Sequence, residues 1–155
     1  IIKDQRGSFF ESYQYETYIP FIGNIKFIQD NESVSKYGVL RGMHYQKEPY
    51  SQSKLIRVLD GKIQDVIVDL RTDSKTFKKY LSIILSSENQ KQLFVPKGFA
   101  HGFLTLSETA VISYKMDEYY NPKYDSGINY NDEEIDILWK IEKEKIILSD
   151  KDMKL

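Results

Sequence analysis

Cysteine is absent from the 155 residues, which excludes disulfides, thiolate nucleophiles and zinc ribbons and suits a reducing cytoplasm, the location expected here. Histidine is nearly absent, with two residues in all. Neither sign of charge dominates: 22 Lys and Arg against 23 Asp and Glu leave a net −1, so no nucleic-acid partner is expected. No apolar run approaches the roughly 18 residues that span a bilayer. The opening Ile1-Ile2-Lys3-Asp4 is unlike a secretion signal, and no membrane partner is expected. Without a repeat, a low-complexity linker or a shift in composition, residues 1–155 are expected to form one domain. The first residue is not Met, so the natural chain is expected to begin upstream.

Aromatic residues are plentiful, with 12 Tyr and 8 Phe, while Gly and Pro are few and stand between apolar runs. That profile favours strands. Strand-like segments run at 27–33, 38–45, 54–59, 62–70, 80–85, 92–96, 103–106 and 110–116. Asp60-Gly61 between the third and fourth is a hairpin signal. In 62–70, β-branched residues occupy both parities, as in a strand covered on two sides. Two stretches read as helical: a short one near Tyr15–Ile19, and Glu134–Lys145 near the C-terminus. Many short strands at close spacing imply an all-β antiparallel sandwich or barrel.

The two histidines sit in glycine-flanked apolar segments, Leu40-Arg41-Gly42-Met43-His44-Tyr45-Gln46 and Pro96-Lys97-Gly98-Phe99-Ala100-His101-Gly102-Phe103. Histidine is suited both to proton transfer near neutral pH and to metal binding. Two of them point to acid–base work rather than a multi-histidine centre; a two-histidine-plus-carboxylate metal site and a pair of satisfied core histidines are the alternatives. Arg41 and His44 lie three apart and would face opposite sides of a regular strand, unless a bulge at Gly42 intervenes. Lys54, Arg57, Asp65 and Asp69 interrupt apolar strands, where a charge is costly unless it is paired or faces a cavity. A barrel mouth lined by Arg, His, Lys and Asp would bind an anionic ligand; solvated outer faces would accommodate the same charges.

Ordered blocks across nearly the whole chain resemble the dTDP-4-dehydrorhamnose 3,5-epimerases. They are Asp4-Gln5-Arg6-Gly7 with Phe9 and Glu11, Phe27-Ile28-Gln29-Asp30-Asn31, and both histidine segments. Lys54-Leu55-Ile56-Arg57-Val58, Asp65 to Arg71, Tyr114-Lys115, Asn131-Asp132-Glu133 and Leu148 to Asp152 complete the series. The resemblance implies a cupin-type jelly-roll barrel with short peripheral helices, no metal and no cofactor. It further implies a homodimer whose N-terminal strands are exchanged, and a nucleotide-diphospho-4-keto-6-deoxyhexose substrate.

Carried over residue by residue, His44 matches the family's general base, Asp152 its orienting carboxylate, Lys54 the cation near the keto oxygen and Tyr114 the acid across the ring. Arg41 and His101 match residues lining the sugar and diphosphate. Gln29, Asn31, Asp125 and Lys151 match other substrate contacts. Arg6 and Glu11 match contacts to the base made across the dimer. Ser8, Met43 and Asp125 depart from the pattern, the last standing where relatives carry the longer Glu. Inversion at C3 alone, at C5 alone or at both is compatible with these motifs, as are a ketoisomerase and a non-catalytic sugar-nucleotide barrel.

Overall fold

A computed structural model describes residues 1–155. The chain opens with a small hairpin, β1 (Ile2–Asp4) and β2 (Gly7–Phe9), followed by helix α1 (Tyr15–Ile22). The main strands are β3 (Gln29–Lys36), β4 (Leu40–Gln46), β5 (Lys54–Asp60), β6 (Lys62–Asp69) and β7 (Tyr80–Ser86). After them come β8 (Gln92–Val95), β9 (Phe99–Thr105), β10 (Thr109–Met116) and the short β11 (Asp125–Gly127). They form a four-stranded sheet in the order β3-β10-β5-β8 and a five-stranded sheet in the order β11-β4-β9-β6-β7. Every pairing is antiparallel, and the two sheets face each other as the jelly roll that the resemblance implied.

Side-chain parity explains the layers. On β6, Ile63 and Ile67 point inward with Ile56, Val58, Leu85 and Ile112, forming the apolar end of the barrel. Val66 and Val68 point outward, where Met43, Ala100, Ile135 and Ile137 cover them. The strand is buried on both faces, as its mixed parity predicted.

That outer cover corrects one expectation. Residues 134–145 are not an α-helix; only Lys143–Lys145 makes a single 3-10 turn. Ile135 and Ile137 are buried while Leu138 is exposed, so the segment is fitted to the sheet at a period near two rather than 3.6. Buried Gln64 holds it, donating to Leu138 O at 2.9 Å and accepting from Lys140 N at 2.8 Å. Strands β1, β2 and β11 escaped the sequence reading because three residues are too few to display a period.

β4 and β9 carry the irregularity that matters most. Arg41 pairs with Phe103 and His44 with His101, so three steps along β4 match two along β9. The extra residue is a bulge, and it brings Arg41 and His44 onto the same, inward face. Gly42 has φ 136°, and a Cβ there would lie 2.5 Å from Gly102 Cα. On Gly102 a Cβ would lie 2.6 Å from Met43 Sδ and 2.9 Å from Arg41 O. Two glycines therefore permit an approach that any side chain would block. Gly42→Ala is expected to lower unfolding free energy by about 1–3 kcal/mol, from left-handed backbone strain before the clash is added. Urea unfolding measures this; a variant as stable as the parent would show that the strands can part here without loss.

Candidate active site

The polar end of the barrel opens into a cavity of about 570 Å³, joined to a deeper one of about 280 Å³. His44, Lys54, Tyr114 and Lys151 line both. Each comes from a different element: β4, β5, β10 and the C-terminal segment. The volumes suit a small organic ligand. The charged residues that interrupt Lys54–Asp60 and Lys62–Asp69 thus divide: Lys54 and Asp65 face inward, whereas Asp69 turns to the loop after its strand and accepts bonds from Arg71, Ser74 and Thr76.

His44 Nε2 lies 2.6 Å from Asp152 Oδ1, a contact across 108 positions of sequence. Asp152 is 5% exposed and sits at the start of a 3-10 turn (Asp152–Lys154), with its N–H bonded to Ser149 Oγ at 3.2 Å. The carboxylate fixes which ring nitrogen carries the proton and leaves the other free toward the cavity. Burial pushes the His44 imidazolium below its ordinary value of 6.5, and Asp152 opposes this only in part. His44 is therefore poised as a neutral base.

Lys54 is the more strongly perturbed group. Burial pulls its ammonium down to about 8, against the attraction of Asp65 and Asp125, while Lys151 adds repulsion. Tyr114 is raised above 10.0 chiefly by burial, with the Arg41 guanidinium acting the other way. A phenol so placed keeps its proton until something basic arrives.

β3 contributes a polar stripe. Gln29, Asn31, Ser33 and Ser35 alternate inward along it, while Asp30, Glu32, Val34 and Lys36 face out. Gln29 and Asn31 line the larger cavity and are joined by a 2.9 Å bond. Arg41 donates to Ser35 Oγ at 3.0 Å at the inner end. At the rim, Asp125 accepts from Tyr120 at 3.0 Å and from Lys151.

His101 is buried on β9 and stands 2.6 Å from Asp65 Oδ1 through Nε2. The site thus holds two His–Asp pairs, set side by side because His44 and His101 are cross-strand partners. No cluster of three or more His, Asp or Glu side chains is arranged as a metal site would need.

Ten of the twelve residues singled out from sequence surround these cavities. Arg6 and Glu11 do not: both are exposed on the N-terminal hairpin or just after it, and Arg6 pairs with Asp4 at its own turn. Of the residues at the site that sequence reasoning missed, two bear on its charges and its rim. Asp65 is visible in the sequence as a charge in an apolar strand and as the first residue of a block shared with the family, but neither signal gives it a role. Tyr120 was one tyrosine among 12, with nothing local to distinguish it.

A family model described as dTDP-4-dehydrorhamnose 3,5-epimerase matches residues 1–155. The enzyme of that name from Escherichia coli K12 is 45% identical over 156 residues, covering 100% of this chain and 84% of the relative. Among solved structures, the dTDP-4-dehydrorhamnose 3,5-epimerase of Bacillus anthracis, with TDP and PPi bound, is 51% identical with a TM-score of 0.92. The match covers 96% of this chain and 85% of that one. The dTDP-6-deoxy-D-glucose-3,5-epimerase of Legionella pneumophila, in complex with dTDP-4-keto-L-rhamnose, is 45% identical with a TM-score of 0.93, over 97% and 80% of the two chains. With the whole sequence matched by the family model and the same barrel recovered at this identity, the chain belongs to the dTDP-4-dehydrorhamnose 3,5-epimerase family.

Proposed function

We propose that His44, Lys54, Tyr114 and Asp152 divide the chemistry of this epimerase on a dTDP-linked 4-keto-6-deoxyhexose. The observation that carries the assignment is the convergence of a carboxylate-oriented neutral histidine, a buried cation and a protonated phenol on one cavity.

The C4 ketone acidifies the C–H bonds at C3 and C5. The free nitrogen of His44 takes a proton, and the C–H electron pair moves into an enolate whose charge collects on the C4 oxygen. Lys54 meets that charge inside the protein, where a fixed cation acts far more strongly than in water. Tyr114 returns a proton to the same carbon from the other face, which inverts it. Asp152 stabilises the imidazolium formed in the first step. A second round at the other carbon completes the double inversion. Arg41, His101, Gln29 and Asn31 hold the sugar and diphosphate, with Lys151 and Asp125 at the rim.

The β1–β2 hairpin supports a homodimer. Its strands pair only with each other, and Ile2 and Phe9 are 68% and 71% exposed. A second chain packed there would cover those side chains and bring Arg6 and Glu11 to the neighbouring site as base contacts. This assembly is assigned to the cytoplasm, in keeping with a chain that has no cysteine.

In deuterated water the protein should exchange the C3 and C5 protons of dTDP-4-keto-6-deoxyglucose, followed by NMR, and yield the doubly inverted sugar. Inversion at one carbon would make it a single-centre epimerase, migration of the carbonyl a ketoisomerase, and binding without exchange a silent barrel. His44→Ala should abolish exchange. Asp152→Asn should lower kcat by about 10²–10⁴-fold. Tyr114→Phe should still lose protons but fail to invert.

The pH profile of kcat/KM should be bell-shaped. His44 works when neutral, so activity rises with pH through a value below 6.5. Lys54 works when charged, so activity falls as pH passes about 8. Activity sustained up to the ordinary lysine value of 10.5 would remove Lys54 from this role.

Sites completed across a dimer also predict complementation. Arg6→Ala, expected to be weak, and His44→Ala, expected to be inactive, should recover activity after joint unfolding and refolding. No recovery from a verified mixed dimer would mean that each chain carries a complete site.

A further inference from the structure

Asp65 is the group the mechanism above leaves unused. It lies on β6, inside the barrel, with 0% exposure. One carboxylate oxygen bonds His101 Nε2 at 2.6 Å. The other, Oδ2, is fully buried and has no hydrogen-bond partner in the protein. A buried carboxylate oxygen left without a donor costs about 1–3 kcal/mol or more, so its retention calls for a compensating role.

The surroundings supply one. Lys54 projects into the same space from β5 and is faced by Asp65 from β6, Asp125 from β11, Lys151 from the C-terminal segment and His44 from β4. His101 from β9 and Tyr114 from β10 complete the wall. Among these groups only Asp65 and Asp125 oppose the loss of charge on Lys54, and Asp65 does so more strongly. Asp125 is also already engaged by Lys151 and Tyr120, which divide its charge between them. Asp65 bonds only an imidazole.

We propose that Asp65 is a positioning residue that holds Lys54 in its cationic form at neutral pH and, through Oδ1, fixes the ring of His101 against the same pocket. This rests on the epimerase assignment of the preceding section, in which Lys54 receives the enolate charge. Asp65 acts only through Lys54 and His101 and touches no reacting atom. The Asp65 carboxylate is then a fixed negative charge inside the barrel, in the surroundings of a cation that must survive burial. Removing it would shift Lys54 toward its neutral form at the pH where the enzyme works, and the enolate would form with its counter-charge weakened.

The test uses the full chain with ¹³Cε-labelled lysine and follows the Lys54 resonance, identified by its loss in Lys54→Met, through a pH titration. In Asp65→Asn the Lys54 midpoint is expected to fall by about one pH unit or more, the usual effect of removing a close opposite charge. The alkaline limb of kcat/KM should move down by the same amount. Asp65→Glu, which keeps the charge, should restore the limb toward its original position. His101→Asn should lower activity while leaving the limb in place. If Asp65→Asn does not fold, Asp65→Ser is measured with the same expectation. A Lys54 midpoint unchanged on loss of the Asp65 charge overturns the proposal. Because that titration needs no substrate, a parent protein that fails to exchange the sugar protons overturns the epimerase assignment alone, and the Asp65–Lys54 coupling is judged separately.

Discussion

The site depends on one close approach, that of β4 to β9 where Gly42 meets Gly102. A Cβ on either would fall within 2.6 Å of the opposite strand or of Met43, so the approach exists only because both positions lack side chains. Its consequence is a change of parity. One residue of β4 goes unmatched, and a three-residue spacing that would send Arg41 and His44 to opposite faces sends both inward. Met43, between them, turns outward into the second apolar layer. The same slip sets His44 opposite His101, so that two His–Asp pairs share one wall. Without the bulge, a barrel of the same strands would present either the guanidinium or the imidazole to its interior, but not both.

Once charged groups face inward, their compensation decides what the pocket can do. Each histidine takes a carboxylate from a different element, Asp152 from the C-terminal turn and Asp65 from β6. The resulting bonds look alike, but the carboxylates differ. Asp152 sits in a turn where its own amide N–H donates to Ser149 Oγ, and it stands beside Lys151; Asp65 is walled in with one oxygen unbonded. A barrel interior with several cations and carboxylates at fixed positions resembles the pre-organised environment that stabilises a developing oxyanion, because the dipoles need not reorient as charge moves.

Much of this was legible in the sequence, and the limits have physical causes. Strands of seven or eight residues such as β5, β6 and β10 declare themselves by pattern, since several apolar positions repeat. At Gly42 the sequence allows a bulge or a close approach, and the structure contains both. The segment 134–145 misled because its apolar residues fit either period, and the choice was made by the neighbouring sheet and by Gln64 rather than by local preference. Asp65 was ambiguous for a similar reason. A charge in an apolar strand reads the same whether it faces water, a partner or a cavity, and only the fold brings His101 beside it. The roles of His44, Lys54, Tyr114 and Asp152 came from resemblance, whereas the strand pattern alone left 12 tyrosines undistinguished.

The misread segment and the base are linked. Asp152 reaches His44 only because the chain after β11 returns across the outer face of the five-stranded sheet. Ile135 and Ile137 anchor it in the outer layer, Gln64 clamps its backbone at Leu138 and Lys140, and Ile147 pairs with Val39 beside the start of β4. The last turn then closes on β4, with Leu155 packed where a Cβ on Gly127 would otherwise sit. A carboxylate delivered in this way is as well placed as the whole path that carries it. The carboxylate that orients His44 is therefore carried by a path whose first anchors lie in the apolar packing on the opposite side of the sheet. An α-helix over 134–145 would present its apolar residues at a period of 3.6 and could not set both Ile135 and Ile137 into the outer layer. This irregular segment is thus part of the active-site architecture, although none of its residues between 134 and 145 lines the cavity.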